Sequence, residues 1–290
     1  MGTKKRKKSS KHRVRKKSNF KTLKCSPSSK SNYTCYSAKS LNKLKYHWNQ
    51  KHTKKIRTNN SYEIWKSLKD NLADKCNSEK CWLTQPFMDK KSDQVLNNYT
   101  FAPKSPNSWK KNPNEWLTSE DILNVMKQYE HEYPYFKFIG PSPIDYNTQK
   151  GFGQCVWNDL CNFSLKYYIN SGISDIGIIF NTDPHYLGGA HWICLYINLK
   201  KRFIYYFDSN ADKTPKEINN FINTVHSQAK MLGINLKTIT NKTRHQRGDT
   251  ECGIYVLYII TTLLKTNSMP IFTKRISDKE MENFRKIFFN

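Results

Sequence analysis

In the stretch from Arg244 to Tyr255 a polar turn delivers one thiol, Cys252, directly into an apolar run of Ile254, Val256, Leu257, Ile259, Ile260, Leu263 and Leu264. A run of that length without a polar face suits a helix buried on all sides, so Cys252 and Gly253 fall at the amino end of a central helix. A thiol placed there feels the positive end of the helix dipole, which favours thiolate, the nucleophilic form. An inert buried cysteine is the plainer alternative, and the presence of a base decides between the two.

A base is found upstream. Gly188, Gly189 and Ala190 lead into His191 and Trp192, and a second strand-like run ends Tyr205, Tyr206, Phe207, Asp208, Ser209, Asn210. If Lys200 and Lys201 form a two-residue hairpin turn, paired positions sum to 401. His191 then faces Asn210, and Asp208 is its diagonal neighbour on the same face. Thiol, imidazole and a carboxylate to orient the imidazole are what nucleophilic thiol catalysis requires.

The elements that must position these groups form an α+β pattern. Thr118 or Ser119 caps a helix with Asp121 in its first turn and Ile122, Val125, Met126 and Tyr129 on its apolar face. A loop with Pro134, Pro141 and Pro143 follows, then a helix over about 156–168. Strands are expected at 176–181, 191–199, 202–207 and 234–240, with a helix at 215–232 between the last two. Ser277 opens a closing helix with Glu280 completing its capping box. Together with the buried helix after Cys252 this makes one domain over 115–290.

Residues 1–60 hold 20 of the 49 Lys and Arg and no Asp or Glu, so +20 of the +26 net charge lies in the first fifth of the chain. The clusters Lys4–Lys8 and Arg13–Lys17 are too polar and self-repelling to build a core, so 1–30 reads as a basic disordered tail. Such a tail suits nucleic acid, another polyanion or a nuclear-import address. Residues 31–114 read as a helical arm and linker: Tyr62, Trp65, Leu68 and Leu72 give a helical face, and 101–114 is rich in Pro, Asn and Lys. No apolar stretch is long enough for a signal peptide or a membrane span, which leads us to expect a soluble protein. The eight cysteines show no paired framework, so a reducing compartment is expected. Cys25, Cys35, His47 and His52 come nearest to a zinc signature, but the cysteine pair is spaced too widely; neither metal nor cofactor is expected.

These residues carry a resemblance. Gly-Gly-Ala-His191-Trp192, a strand, Tyr-Phe-Asp208, and Gln246 six positions before Cys252-Gly253 resemble the His, Asp, Gln, Cys order of the SUMO-specific and adenovirus-type cysteine proteases. The runs 243–247, 250–253 and 275–278, with Asn181-Thr182-Asp183 and Phe284-Arg285, are similar to the large-DNA-virus branch, the polyprotein-processing type of African swine fever virus and mimivirus. That resemblance implies a papain-like or adenain-like core with a central mixed sheet and a buried helix carrying the nucleophile. It assigns catalytic roles to His191, Asp208, Gln246 and Cys252, and substrate-wall roles to Trp116 and Trp192. It implies cleavage of viral core polyproteins after Gly-Gly sites, in the virion or a cytoplasmic virus factory. Other readings are an isopeptidase acting on ubiquitin-like conjugates, a Cys-dependent acetyltransferase, and a non-catalytic nucleic-acid-binding core protein. The branch also departs from this chain, with Asn where Asp208 stands and Gln where Asp249 stands.

Overall fold

The computed structural model describes residues 20–290 apart from 22, 28, 30, 270 and 271. The charge clusters at 4–8 and 13–17 lie outside the described residues. Four helices, α1 (Ala38–Lys51), α2 (Ser61–Asn71), α3 (Glu79–Leu83) and α4 (Lys90–Thr100), surround a separate apolar cluster that includes Leu41, Leu44, Ile64, Leu68, Trp82 and Phe101. The buried stripe of α2 is Ile64, Leu68 and, just beyond its end, Leu72, whereas Tyr62 of the expected face is exposed and Trp65 only partly buried. Packing begins ahead of the composition boundary at 30: Phe20 and Leu23 lie against this cluster, and Cys25 bridges to Phe101.

The expected linker is tied down. Ala102 donates its N–H to Lys24, Ser105 donates to Asn290, and a 3-10 turn at Asn107–Lys110 sets Trp109 against Phe289. The cysteine expectation is corrected. Cys25–Cys35, Cys76–Cys81 and Cys155–Cys161 are disulfides that close loops of ten, five and six residues; they are local pairs that a search for a repeated framework passes over. Cys25 and Cys35 are therefore joined to each other, while His47 faces Asp89 and His52 stacks on Trp48, so these four do not converge on a metal.

The catalytic half opens with α5 (Ser119–Glu132), whose capping box is Thr118 with Asp121. The expected proline loop is instead a strand, β1 (Phe136–Pro143). Proline is tolerated there because β1 is an edge strand, and the ladder to the next strand shifts register between Ile139 and Ser142. Gly140, at φ +112°, is required at that shift, since a Cβ would sit 2.7 Å from the Ile179 carbonyl. A small hairpin, β2 (Gln149–Gly151) and β3 (Gln154–Cys155), follows. The helix expected over 156–168 is two short ones, α6 (Asn158–Cys161) and α7 (Leu165–Asn170), broken where Phe163 turns inward and Ser164 caps the second.

The chain continues through β4 (Asp175–Asn181), β5 (Trp192–Asn198), β6 (Phe203–Phe207), α8 (Lys216–Met231), β7 (Lys237–Thr240), α9 (Cys252–Thr266) and α10 (Asp278–Phe288). The five-stranded sheet runs β1-β4-β5-β6-β7, antiparallel at its centre and parallel at both edges. Each strand turns alternate side chains to opposite faces. Cys194, Tyr196, Phe203 and Tyr205 meet α5, α9 and α10, while Ile193, Leu195, Ile197 and Ile204 meet α6, α7 and α8. Eleven of the fifteen residues of α9 are buried, so that helix is the central one the sequence called for. Among the described residues, no helix is long and apolar enough to cross a membrane.

Candidate active site

Three elements converge at one end of the central strands. The β5–β6 ladder pairs Cys194 with Phe207 and Asn198 with Phe203, the register expected from the hairpin. His191 precedes β5 and Asp208 follows β6, so that register sets them side by side: His191 Nε2 lies 2.7 Å from Asp208 Oδ1. Asp208 is itself held, its Oδ1 accepting from the Asn210 N–H at 2.9 Å and its carbonyl from Asn241 Nδ2 at 2.7 Å. Cys252 is the first residue of α9, is 1% exposed, and is one of the groups that shift the His191 pKa. With Nε2 committed to Asp208, Nδ1 is the ring atom left for the thiol.

Burial alone would lower the His191 pKa, but hydrogen bonds to Asp208 and Cys252 and the charges of both raise it, to about 10. The imidazole therefore carries its proton at neutral pH and has one to give to a leaving amine.

Gly253 follows the thiol for a steric reason: a Cβ there would lie 2.9 Å from Leu117 Cβ. The close crossing of Leu117 over α9 is further tied by Trp192, whose indole N–H donates to the Leu117 carbonyl at 3.0 Å. Leu117, Trp116 and Trp192 line a cleft of about 780 Å³ together with Gly140, Asn181 and Gly189. Gly189, at φ +96°, passes so close to Asn181 that a Cβ would meet its amide at 2.5 Å. The cleft thus adjoins the His191 side through Gly189 and Trp192, and the Cys252 side through Leu117. Both tryptophans named from sequence stand in its wall, Trp192 buried and Trp116 42% exposed.

Gln246 is buried in the turn between β7 and α9. Its Oε1 accepts from Ser209 Oγ at 2.7 Å and its Nε2 donates to the Gly248 carbonyl at 2.9 Å. The Gln246 and His245 N–H groups both donate to the Ser209 carbonyl, which ties this turn to the residue beside Asp208. His245 is fully buried and accepts the Ile276 N–H on Nδ1; burial, then the Arg275 charge, lower its pKa, so it is a neutral strut.

Two groups escaped sequence reasoning. Asn241, just after β7, carries no local signal of its contact with Asp208. Arg285 did carry one: it falls on the apolar stripe of α10 with Met281 and Phe288, where a cation needs a partner. That partner is Glu251, immediately before Cys252, reached from Arg285 Nη2 at 3.0 and 3.1 Å. The same guanidinium donates to the Glu115 carbonyl at 2.7 Å and covers the Trp109 ring at 4.6 Å.

Residues 174–290 match the Ulp1 protease family, C-terminal catalytic domain. A protein of Acanthamoeba polyphaga mimivirus named as a thiol protease is 28% identical over 250 residues, covering 84% of this chain and 79% of that protein. The SUMO-1 cysteine protease of African swine fever virus is 26% identical over 247 residues, 79% of this chain and 90% of the relative. The crystal structure of the African swine fever virus protease superposes with a TM-score of 0.62 across 92% of this chain and 95% of that one, at 22% identity, so the two share a fold. With a thiol, an imidazole and a carboxylate assembled on that fold, and residues 174–290 matching the Ulp1-like catalytic domain, this chain is a cysteine protease.

Proposed function

We propose that the chain is an endopeptidase that cleaves viral core polyproteins after Gly-Gly pairs during virion maturation, acting in the virion and the cytoplasmic virus factory. The observation that carries the reading is the Cys252–His191–Asp208 set at the edge of a cleft walled by Trp116 and Trp192 and floored in part by glycines. A glycine pair has no Cβ to clash with flat aromatic walls. The large-DNA-virus motifs support the substrate class, and both relatives are viral proteases by name.

In this mechanism Cys252 Sγ attacks the scissile carbonyl. His191 holds the proton taken from the thiol and delivers it to the leaving amine; it then activates the water that releases the acyl group. Asp208 fixes the imidazole tautomer and stabilises its charge. Gln246 Nε2 has one N–H on Gly248 and a second to give, which with the Cys252 N–H would hold the tetrahedral oxyanion, worth about 3–4 kcal/mol for one well-placed donor. Release of Gly-Gly-ended fragments from Gly-Gly-X peptides, seen by mass spectrometry, is the direct test. Cleavage at other bonds with Gly-Gly-X left intact would sink the specificity.

A second substrate class is favoured by one observation, the name SUMO-1 cysteine protease borne by the African swine fever virus relative. Isopeptide-linked ubiquitin-like conjugates end in the same glycine pair, and assaying them beside polyprotein fragments separates the two.

Asp208→Asn is expected to retain more activity than Asp208→Ala, because a carboxamide oxygen still accepts from His191. The carboxylate raises the His191 pKa, so its neutralisation makes the imidazolium lose its proton at lower pH. The alkaline limb of the kcat/KM profile should therefore move acidward in Asp208→Asn; an unmoved limb would remove Asp208 from the mechanism.

We assign the basic tail to nucleic acid. Deleting 1–19, which spares the packed Phe20 and the Cys25–Cys35 disulfide, should leave peptide turnover unchanged and weaken DNA binding. The binding lost should be steeply salt-dependent, because each phosphate contact releases counterions. Equal affinity with and without the tail at low salt would show it to be merely solvated.

A further inference from the structure

The turn that carries Gln246 is shaped from outside, by the first residue of α10. The Asp278 carboxylate accepts the N–H of Arg247 at 3.1 Å and of Gly248 at 3.3 Å, both on Oδ2. It also accepts the Tyr255 hydroxyl at 3.0 Å on Oδ1 and Arg275 Nη2 at 3.2 Å. Asp278 is not occupied in capping its own helix, because Ser277 and Glu280 complete that box between them. Its side chain is therefore given over to the neighbouring turn.

Two consecutive N–H groups on one carboxylate fix the peptide planes on either side of Arg247. Those planes carry the Gln246 and Arg247 carbonyls, so they fix the backbone of Gln246 directly and place the Cα of Gly248, whose carbonyl holds Gln246 Nε2. Gly248 contributes no rigidity of its own: space around it is open, and a Cβ there would meet nothing within 4 Å. Tyr255 stands one helical turn beyond Cys252 on α9. One carboxylate thus joins the Gln246 turn to the helix that presents the nucleophile.

We propose that Asp278 is the positioning residue of the oxyanion site: it sets the Gln246 amide relative to α9 and leaves the Cys252–His191 pair untouched. This rests on the reading of Gln246 as an oxyanion donor. Asp278 touches no reacting atom and acts through Gly248 and Gln246.

The experiment compares two reactions of Cys252 in the full chain. Peptide hydrolysis passes through a tetrahedral oxyanion. Alkylation by iodoacetamide forms a carbon–sulfur bond as iodide leaves, with no oxyanion, and so reads the Cys252–His191 pair alone. Asp278→Ala should lower kcat about 100-fold, the scale of one misplaced oxyanion donor, with KM and alkylation rate within about threefold of wild type. Asp278→Asn, nearly isosteric and keeping one acceptor oxygen, should fall between the two and serves if the alanine variant does not fold. Added to Gln246→Ala, either change should cost little more, because the effect runs through that amide.

An unchanged kcat in Asp278→Asn and Asp278→Ala would overturn the proposal. So would hydrolysis and alkylation falling together, or a full second loss on top of Gln246→Ala. Wild-type hydrolysis no faster than that of Cys252→Ala, with alkylation intact, would instead strike the protease reading of the site, and the inference with it.

Discussion

Cys252→Ala loses peptide cleavage entirely, by about 10⁴-fold or more, and keeps the fold. Cys252 is 1% exposed at the start of α9, alanine fits the same space, and His191 keeps its bond to Asp208, so the melting curve should barely move. Cys252→Ser should be as inactive, because a serine hydroxyl holds its proton far more tightly than a thiol and so is a far weaker nucleophile here. His191→Ala should be comparably severe, since it removes both the positive charge facing the sulfur and the proton donor for the leaving amine. It should also slow alkylation of Cys252, which Asp278→Ala should not. Measurable turnover in Cys252→Ala, from protein freed of wild-type carry-over, would end the assignment of this thiol as nucleophile.

The parts of this site that sequence carried are those where local pattern and geometry coincide. An apolar run without a polar face admits few placements, so α9 and the thiol at its start could be read directly. The β5–β6 hairpin has a short turn, and pairing arithmetic then brings His191 and Asp208 together without knowledge of the rest of the sheet. Both capping boxes, Thr118 with Asp121 and Ser277 with Glu280, are contained within four residues. Gln246 stood out only through its spacing from Cys252 in the family resemblance; its anchoring by Ser209 and Gly248 was not legible.

What stayed hidden depends on distant partners. β1 reads as a loop because Pro141 and Pro143 are hostile to a ladder, yet an edge strand with a register shift accommodates them. Asn241 and Asp278 act on segments tens of residues away; Asp278 stands in the family-like run 275–278, but nothing there marks its contact with Arg247 and Gly248. The disulfides are short-range in sequence but form only because local turns bring the sulfurs together. Most of the tail's charge could be counted, but not where packing begins, since Phe20 and Leu23 find their partners on the arm helices.

Arg285→Ala should be the most destabilising single change in the catalytic half. The Arg285 and Glu251 side chains are 5% and 3% exposed, and removing one partner leaves the other charged and unpaired in the interior. Breaking such a buried pair costs about 3–5 kcal/mol. The contacts to the Glu115 carbonyl and the Trp109 ring go with it, loosening the strap ahead of α5. The loss should depend on pH with a definite sign. Burial raises the Glu251 pKa and Arg285 opposes that rise, so without Arg285 the carboxyl titrates higher still. A buried carboxyl of raised pKa penalises the fold above that pKa and ceases to do so once protonated, so the deficit against wild type should be largest at neutral pH and shrink toward acid. Because Glu251 is the residue immediately before Cys252, the folded fraction should also turn over more slowly. Replacing both partners, Arg285→Met with Glu251→Leu, should recover most of the stability, since no charge is then left buried. Urea unfolding at two pH values measures all of this; a loss under about 1 kcal/mol at neutral pH in Arg285→Ala would mean that water reaches Glu251 and that the pair is not the anchor of the nucleophile's helix.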